Sequence, residues 1–266
     1  MRNDNMKNIE VKNLTYLPKG AERAILSNIE YCFEEGHMTA LLGPNGSGKT
    51  TMLRHFLLQI KSQEGSVLID GKDVAAYTAK ERGRVLAWVP QSQTGESAFA
   101  TEDVVRMARY PYKSTFEADN KEDDRIVEEA MKSVGVWELR NRQFSSMSGG
   151  EKQRTLIARA ITQTTPWILL DEPTSNLDVK HQLEILGLMK KQVEEKKSSV
   201  VLVMHDFNLV ERFCDRAVLL KDGRIVAKGE TGDVLTSELL REVYEVEFDI
   251  LTKDGLRMFF PKQALL

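Results

Sequence analysis

The sequence GPNGSGKT, residues 43–50, decides the fold, because it places three glycines and a lysine between an apolar run and an amphipathic run. The preceding residues, MTALL, are typical of a buried strand, and the following KTTMLRHFLLQI carries apolar residues at helical spacing. The pattern G-x-x-x-x-G-K-[ST] between a strand and a helix predicts a phosphate-binding loop. A glycine-rich turn with an incidental lysine is the alternative, and this context disfavours it.

The loop residues suit a nucleotide phosphate in physical terms. Glycines let backbone N–H groups converge on phosphate oxygens, and the N-terminal end of the following helix favours an anion. Lys49 is then expected to reach the β- and γ-phosphates, and the Thr50 hydroxyl to ligate Mg²⁺. The nucleotide-binding residues predicted in this loop are Gly43, Pro44, Asn45, Gly46, Ser47, Gly48, Lys49, Thr50 and Thr51.

Other short apolar runs indicate further strands. RVLAWVP (84–90), WILLDEP (167–173) and SVVLVMHD (199–206) each end in a polar or turn-forming residue. Strands that are buried on both faces have this pattern, so we expect an α/β fold with a mainly parallel core sheet covered by helices. The Asp-Gly pairs at 70–71 and 222–223 predict two hairpins and an antiparallel β part. Functional residues are expected at the carboxyl ends of the parallel strands.

Between residues 91 and 163 the pattern changes from β to α. DRIVEEAMKSVG (124–135) carries apolar residues on one helical stripe, and Gly135 is placed to end that helix. The acidic stretch FEADNKEDD (116–124) is interpreted as a solvated loop without chemistry. This region is therefore expected to be mainly helical.

Two carboxylates follow the apolar run at 167–170. Asp171 is expected to hold Mg²⁺, directly or through water, and Glu172 is the candidate general base for the attacking water. An acidic pair at a strand end is often only a solvated turn. The phosphate loop upstream makes the catalytic interpretation the better one.

Two further polar residues end predicted strands. His205 follows SVVLVM and is expected to contact the γ-phosphate, although a lone histidine often satisfies a backbone group instead. Gln91 follows AWVP, and its amide could join the Mg²⁺ and water shell. Both are candidates for catalysis beside Glu172. The candidate Mg²⁺ ligands are Thr50, Gln91 and Asp171.

Composition argues against several other classes of protein. With 37 basic and 40 acidic residues the formal net charge is −3, which gives no overall reason to bind nucleic acid. The opening MRNDNMKNIEVKN is polar and lacks the apolar core of a secretion signal, and no run approaches the roughly 18 apolar residues of a membrane span. Cys32 and Cys214 have no metal-like or C-x-x-C spacing, which disfavours a disulfide framework or a zinc site.

These pieces, in this order, resemble the nucleotide-binding subunit of ATP-binding cassette (ABC) transporters. The corresponding motifs are Walker A at 43–50, the Q-loop residue Gln91, the signature MSGGE at 147–151, Walker B at 168–172, the D-loop SNLD at 175–178 and the switch histidine His205. The resemblance implies a P-loop NTPase of the ABC ATPase type, as one domain over residues 1–266. It implies a RecA-like and antiparallel β core from 1–91 and 164–266, and an inserted α-helical subdomain from 92–163 that carries the signature.

In this family two cassettes pair head to tail, so that the signature of one copy completes the ATP site of the other. By that resemblance, the nucleotide-binding residues outside Walker A are Ser148, Gly149, Gly150 and Asp178. A hydroxyl and exposed N–H groups at the start of a helix agree with it physically. The commonest signature has glutamine where this chain has Glu151, whose role stays open. Tyr16 is the nearest aromatic residue for stacking on adenine, and an ordinary strand position suits it equally.

The sequence between and beyond the motifs resembles one branch of the family. TEDVVRMARYPY (101–112), DEPTSNLDVKHQLEIL (171–186) and GETGDVLTSELLREVYEVEFDIL (229–251) look most like the importers of iron chelates, haem and cobalamin. The resemblance implies that the chain hydrolyses ATP to energise uptake of an iron chelate such as a siderophore. The alternatives are the ATPase of a manganese or zinc importer and, in a different class, a soluble ABC ATPase acting on nucleic acid or ribosomes.

The same resemblance implies the cofactors and partners. ATP and Mg²⁺ are expected in the site, and a second copy of the chain is expected as an ATP-dependent partner. Two integral-membrane permease subunits would bind the cassettes, a solute-binding protein would act indirectly, and no nucleic acid is expected. The chain would then lie at the cytoplasmic face of the cell membrane as a peripheral subunit, without a membrane span or signal peptide of its own.

Overall fold

The structure is a computed structural model of the chain and describes residues 8–91, 98–113 and 121–264. The strands are β1 (Ile9–Tyr16), β2 (Leu26–Phe33), β3 (Met38–Leu42), β4 (Glu64–Ile69), β5 (Lys72–Asp73), β6 (Leu86–Val89), β7 (Trp167–Asp171), β8 (Ser199–Val203), β9 (Arg216–Lys221), β10 (Arg224–Glu230), β11 (Val246–Lys253) and β12 (Leu256–Ala264). The helices are α1 (Lys49–Phe56), α2 (Ala79–Arg82), α3 (Thr101–Arg106), α4 (Lys121–Ser133), α5 (Gly149–Thr162), α6 (Val179–Lys196), α7 (Phe207–Phe213), α8 (Thr231–Val234) and α9 (Ser237–Tyr244).

The described residues form two compact units, which divide between residues 76 and 77 and again between 198 and 199. Both units contain helices and parallel strands, so the predicted α/β class is confirmed. The predicted division into a β-containing core and a helical subdomain at 92–163 remains a prediction. Among the described residues, no helix combines the length and the hydropathy that a membrane span requires.

The first unit holds two sheets. In one, β3 pairs in parallel with β8 and with β9, and β9 pairs antiparallel with β10. Every residue of β3 and β8 is buried, which explains the uninterrupted apolar runs MTALL and SVVLV. The other sheet, in the order β2-β1-β4-β5, is antiparallel throughout. Both predicted hairpins are confirmed, and their Asp-Gly turns at 70–71 and 222–223 have positive φ at both positions.

The last described part of the first unit consists of α8, α9 and the antiparallel hairpin of β11 and β12. Helix α9 packs against β9 and β11, and α7 packs against β12. Leu240 and Val243 of α9 and Phe259 of β12 are buried at these contacts. The C-terminal elements are therefore part of the core of this unit.

The second unit is built around α5 and a pair of parallel strands. Leu86 of β6 lies opposite Trp167 of β7, and all five residues of β7 are buried. Helix α5 packs against α3, α4 and β6. It buries Leu156, Ile157 and Ala160. This packing fixes the position of α5, and the signature residues lie at the start of that helix.

The acidic stretch at 116–124 differs from its prediction in its last four residues. Residues 116–120 lie outside the described residues, whereas 121–124 form the first turn of α4. Asp123 in that turn is 3% exposed and accepts a hydrogen bond from Arg109 Nε at 2.7 Å. The loop interpretation is wrong there, because a buried ion pair fixes one of the carboxylates and acidic residues suit a helix N-terminus.

Candidate functional site

Each unit carries part of the predicted site. In the first unit the phosphate loop follows β3, and the exposed His205 follows β8. These strands are hydrogen-bonded neighbours, with Leu41 opposite Val203. Because parallel neighbours end at the same edge of a sheet, the phosphate loop and His205 are brought to one end of this sheet.

The phosphate loop has a backbone that only glycine adopts easily. Gly43 has a φ of 143°, and a Cβ there would lie 2.1 Å from the carbonyl oxygen of Leu220. Gly48 has a φ of 104°, and its Cβ would lie 2.6 Å from Leu26 Cδ2. The glycines at both ends of the loop are thus required by the chain itself.

The interior of the loop is built to meet an anion. Lys49 is only 6% exposed, and its Nζ donates to the carbonyl oxygens of Gly43 at 2.7 Å and Pro44 at 2.9 Å. The Ser47 hydroxyl is buried and has no hydrogen-bond partner within the described residues. Helix α1 also begins without a side-chain cap and without an acidic residue in its first turn. A phosphate fits here, because it would accept from that hydroxyl and from the open end of the helix.

In the second unit, two of the three predicted catalytic residues meet. Gln91 Nε2 donates to Glu172 Oε2 at 2.8 Å. Glu172 directly follows Asp171, which is 2% exposed at the carboxyl end of β7. The backbone of Glu172 has a φ of 50°, which costs a non-glycine residue about 1–2 kcal/mol. Such strain is common at functional sites, and here it turns the chain sharply just after the buried strand.

The signature turn closes its own helix end. Ser148 is the N-cap of α5, and its Oγ accepts from the Glu151 backbone N–H at 3.3 Å. In return, the Ser148 backbone N–H donates to Glu151 Oε2 at 2.7 Å. This N–H holds the pKa of Glu151 below its ordinary value. In addition, Arg142 Nη1 lies 3.6 Å from Glu151 Oε1. Glu151 is therefore the carboxylate of a capping box.

The two signature glycines have room around them within the second unit. A Cβ on Gly149 would lie 4.0 Å from its nearest neighbour, Asn176 Cβ, and one on Gly150 would lie 3.4 Å from Asn176 O. These are ordinary van der Waals distances, and neither glycine has a left-handed φ. Unlike the glycines at 43 and 48, these two are not required by the described part of the chain.

Two further predicted residues have local structural roles. Asp178 is the N-cap of α6 and accepts from the His181 backbone N–H at 2.9 Å, which lowers the pKa of the Asp178 carboxyl. Tyr16 ends β1, and its ring packs edge-on against His55 with centroids 5.0 Å apart. Nucleotide binding by Asp178 and adenine stacking by Tyr16 remain predictions.

Two residues near the site were not assigned a role from the sequence. The capping box of Glu151 was readable, because S-x-x-E ahead of a helix at 148–151 is its known pattern. The second residue, Tyr244, contacts the backbone of Gly43 across 201 residues of sequence. No local pattern indicates a contact of that separation.

The family is decided by the comparison with known proteins. Residues 26–175, more than half of the chain, match the family model described as ABC transporter. The chain belongs to the ABC transporter family. It is therefore an ATPase that binds ATP, and the P-loop fold of the ABC type predicted from its motifs is confirmed.

Comparison with individual relatives shows which members of the family the chain resembles. The chain is 34% identical over 231 residues to the iron(3+)-hydroxamate import ATP-binding protein FhuC of Bacillus subtilis (strain 168), covering 87% of this chain and 86% of that protein. A metal-chelate type ABC transporter in an inward-facing conformation matches with a TM-score of 0.82 and 28% identity, covering 97% and 98% of the two chains. The cassette MJ0796, a dimer with ADP and Pi, matches with a TM-score of 0.77 and 31% identity, covering 84% and 98%. The predicted resemblance to iron-chelate importer ATPases is confirmed.

Proposed function

We propose that this chain is the ATP-hydrolysing subunit of an importer for an iron chelate, and that its turnover drives uptake through permease subunits. The observation that carries the proposal is the match to a hydroxamate import protein along 87% of this chain and 86% of that relative. A match of that extent reaches well beyond the motifs that ABC ATPases share. The likeness to a metal-chelate type transporter supports the same class of solute.

ATP binds, in this proposal, at the phosphate loop. The Lys49 ammonium leaves the carbonyl oxygens of Gly43 and Pro44 and meets the β- and γ-phosphates. The buried Ser47 hydroxyl donates to a phosphate oxygen, which gives it the partner that it lacks within the described residues. The backbone N–H groups at the start of α1 complete the binding of the anion.

Hydrolysis depends on positioning more than on covalent chemistry. Water attacks the γ-phosphorus, the bond to the bridging oxygen of ADP breaks, and Glu172 takes the proton of the water. Gln91 orients that carboxylate through its 2.8 Å hydrogen bond, and His205 contacts the γ-phosphate. The left-handed φ of Glu172 sets the direction in which its side chain leaves the backbone.

Thr50, Gln91 and Asp171 are assigned as Mg²⁺ ligands. They suit this ion chemically, because they offer hydroxyl, amide and carboxylate oxygens, and the carboxylate ends a fully buried strand. Bound Mg²⁺ would supply charge neutralisation at the phosphoryl group.

A second copy of the chain is the proposed partner for the signature turn. Gly149 and Gly150 are not needed for the fold of one chain, so their lack of side chains is best explained by the close approach of another molecule. With Ser148 and Asp178, they would contact the ATP held by the partner copy. The dimeric cassette MJ0796, solved with ADP and Pi, supports this arrangement.

The remaining partners follow from the proposed role in import. Two integral-membrane permease subunits would form the path of the chelate, and a solute-binding protein would deliver the chelate to them. This chain would act from the cytoplasmic face of the membrane as a peripheral subunit, since ATP is hydrolysed on that side. This role does not require direct contact between this chain and the chelate.

The catalytic part of the proposal is tested by Glu172→Gln. The substitution keeps the shape of the side chain and a hydrogen bond to Gln91, but it removes the base, so ATP binding should persist while turnover falls by about a hundredfold or more. Phosphate release measures turnover, and gel filtration with ATP should detect a trapped dimer. Glu184→Gln, an exposed change on α6, is the control and should behave as the wild type. Near wild-type turnover by Glu172→Gln would remove Glu172 as the base.

The transport part is tested by uptake in cells that lack the gene. Wild-type protein should restore uptake of a radiolabelled ferric hydroxamate, and Glu172→Gln should not. The permease subunits should copurify with the wild-type chain from detergent-solubilised membranes. Normal ferric hydroxamate uptake in the deletion strain, together with loss of manganese or zinc uptake, would overturn the proposed solute and favour a metal-ion importer.

A further inference from the structure

The C-terminal segment, residues 231–264, reaches two parts of the ATP site from outside the family match at 26–175. It comprises α8, α9 and the hairpin of β11 and β12, all within the first unit. Its contacts converge on the first residue of the phosphate loop and on the helix that follows His205. The residues of the segment that make these contacts lie outside the motifs that define the site.

Tyr244, the last residue of α9, touches the phosphate loop directly. The backbone N–H of Gly43 donates to Tyr244 Oη at 2.7 Å. The carbonyl oxygen of the same glycine accepts from Lys49 Nζ at 2.7 Å. Gly43 is therefore held from both sides, by Tyr244 at its N–H and by the phosphate-binding lysine at its carbonyl.

The hydroxyl of Tyr244 is suited to this contact. Burial raises the pKa of Tyr244 above its ordinary value, so the side chain stays a neutral phenol at physiological pH. Lys221 Nζ donates to the carbonyl oxygen of Glu242 at 2.6 Å and to the Glu245 carboxylate at 2.9 Å. These bonds fix the end of α9 to β9, whose residue Leu220 also borders Gly43.

An aromatic cluster extends the same support toward the switch histidine. Phe207 lies two residues after His205 and begins α7. Its ring packs edge-on against Tyr244, with centroids 5.0 Å apart, and also contacts Phe248 at 5.4 Å and Phe259 at 6.1 Å. A displacement of α9 or of the hairpin would therefore change the position of both the phosphate loop and the segment that contains His205.

The hairpin is in turn anchored on α7. Arg257 donates to both carboxylate oxygens of Glu211, at 2.9 Å from Nε and 2.6 Å from Nη2. The Phe259 backbone N–H donates to Asn208 Oδ1 at 2.8 Å. The bidentate arginine pair and the side-chain bond to a strand backbone are directional contacts. They therefore set the position of the hairpin on α7 as well as binding it there.

We propose that Tyr244 is a positioning residue of the ATP site, and that the C-terminal segment holds the phosphate loop and the His205 segment in their ATP-binding arrangement. The inference rests on the proposed role of the phosphate loop in binding ATP. Without the hydroxyl, the buried N–H of Gly43 loses its acceptor, and the loop must satisfy that group by changing shape. Lys49, which bonds to the same residue, would then shift as well.

Tyr244→Phe tests the proposal, because it removes one oxygen atom and keeps the ring. In the full chain we expect ATP binding about tenfold weaker, the effect of losing about 1.4 kcal/mol from one buried hydrogen bond. KM for ATP should rise by a similar factor while kcat changes by less than about twofold, because bound phosphates restore the loop. Hydrogen exchange at the Gly43 amide should become faster. A purely structural role would change the melting temperature without this split between KM and kcat.

Tyr31→Phe is the matched control, since Tyr31 is 8% exposed on β2 in the same unit and its ring packs on Phe33. It should leave KM and the Gly43 amide unchanged. Arg257→Gln is a second variant that keeps the Tyr244 hydroxyl but loosens the hairpin, and we expect its KM to rise about twofold to threefold. It keeps the proposal testable if Tyr244→Phe folds poorly.

The outcomes separate this inference from the proposed function. A wild-type chain that binds no ATP would overturn both. ATP binding by the wild type with an unchanged KM in Tyr244→Phe, or an equal rise in Tyr31→Phe, would overturn the role of Tyr244 alone. A wild-type KM in Arg257→Gln would overturn the role of the hairpin.

Discussion

Two glycine-rich turns each lead into a helix, and they contain glycine for different reasons. In the phosphate loop, Gly43 and Gly48 have φ values of 143° and 104°, and atoms of the chain already occupy the place of a Cβ. In the signature turn, Gly149 and Gly150 would accept a Cβ at ordinary contact distances. The helix ends also differ, because α1 has no side-chain cap whereas the capping box at 148–151 closes α5.

A residue that serves the fold of its own chain can thus be distinguished from one that serves the binding of another molecule. A glycine with a left-handed φ and crowded surroundings is explained by the chain that contains it. A glycine in a helix, with space around it, costs helix stability and needs an external reason. The same substitution, glycine to alanine, should therefore damage folding in the first turn and assembly in the second.

Gly43→Ala should have the largest effect. The new carbon would lie 2.1 Å from Leu220 O and 2.7 Å from Ser47 Oγ, at a φ that alanine avoids. We expect the free energy of unfolding to fall by about 3 kcal/mol or more and ATP binding to be lost, as measured by urea unfolding and ATP titration. Gly187→Ala, in open space on α6, is the control and should be neutral or stabilising by up to about 1 kcal/mol. Equal stability of the two variants would contradict the distinction.

Gly150→Ala should leave the isolated chain intact. Its new carbon meets Asn176 O at 3.4 Å, so the unfolding free energy should stay within about 0.5 kcal/mol of the wild type. In a Glu172→Gln background, which lacks the proposed base, we expect ATP-driven dimerisation to weaken by about tenfold, as measured by analytical ultracentrifugation. Unchanged dimerisation would mean that this glycine serves neither the chain nor a second copy. A destabilised monomer would place it with the glycines of the phosphate loop.

Local patterns predicted the elements, and strand pairing then explains part of the site. The apolar runs predicted the parallel strands, and the Asp-Gly pairs predicted both hairpins. Gln91 and Glu172 follow β6 and β7, which pair in parallel, so their contact follows from the topology. Helix α1 is shorter than its apolar pattern predicts, because Leu58 takes a φ of 54° and ends it.

The hydrogen bonds that stabilise the two turns differ in whether the sequence predicts them. Ser148 and Glu151 are three residues apart, and their spacing alone is the pattern of a capping box. Tyr244 and Gly43 are 201 residues apart, and a tyrosine at the end of an amphipathic helix has no pattern that points to a loop glycine. Periodicity describes which face of an element is buried, but a single polar contact between distant elements depends on the completed fold.

The cap of the signature turn should contribute a moderate amount of stability. Glu151→Ala removes the acceptor of the Ser148 N–H, and we expect a loss of about 1 kcal/mol in the unfolding free energy at pH 7. Glu151→Gln retains an acceptor and should lose less. Glu138→Ala, at a side chain that is 89% exposed, is the control. Equal stability of Glu151→Ala and the control would show that the cap is energetically unimportant.

The cap also predicts a pH dependence. The pKa of Glu151 is lowered in the folded chain, so its carboxylate stabilises the fold fully above the ordinary value of 4.5. That contribution is lost as the pH falls through the lower, folded value. Urea unfolding at a series of pH values should show this step in the wild type and not in Glu151→Gln.

The smallest expected effect concerns His55, on the helix that follows the phosphate loop. Its ring is 3% exposed and packs on Tyr16, and burial lowers its pKa below the ordinary 6.5. The folded chain therefore resists protonation, so the contribution of neutral His55 is complete above pH 6.5 and is lost as the pH falls through the lower, folded value. This window begins at a higher pH than that of Glu151, so the two groups are expected to respond differently in a titration.

His55→Gln should remove the step at higher pH and keep the one that belongs to Glu151. Glutamine can still donate to the backbone of Ile60, so the packing of α1 is disturbed little. His37→Gln, at a partly exposed side chain, should leave the step in place. If unfolding free energies were flat between pH 7 and pH 5 in the wild type, or fell equally in His55→Gln, burial of this ring would not couple the phosphate-loop helix to pH. Acid would then weaken the signature turn through Glu151 and leave the phosphate-loop helix unaffected.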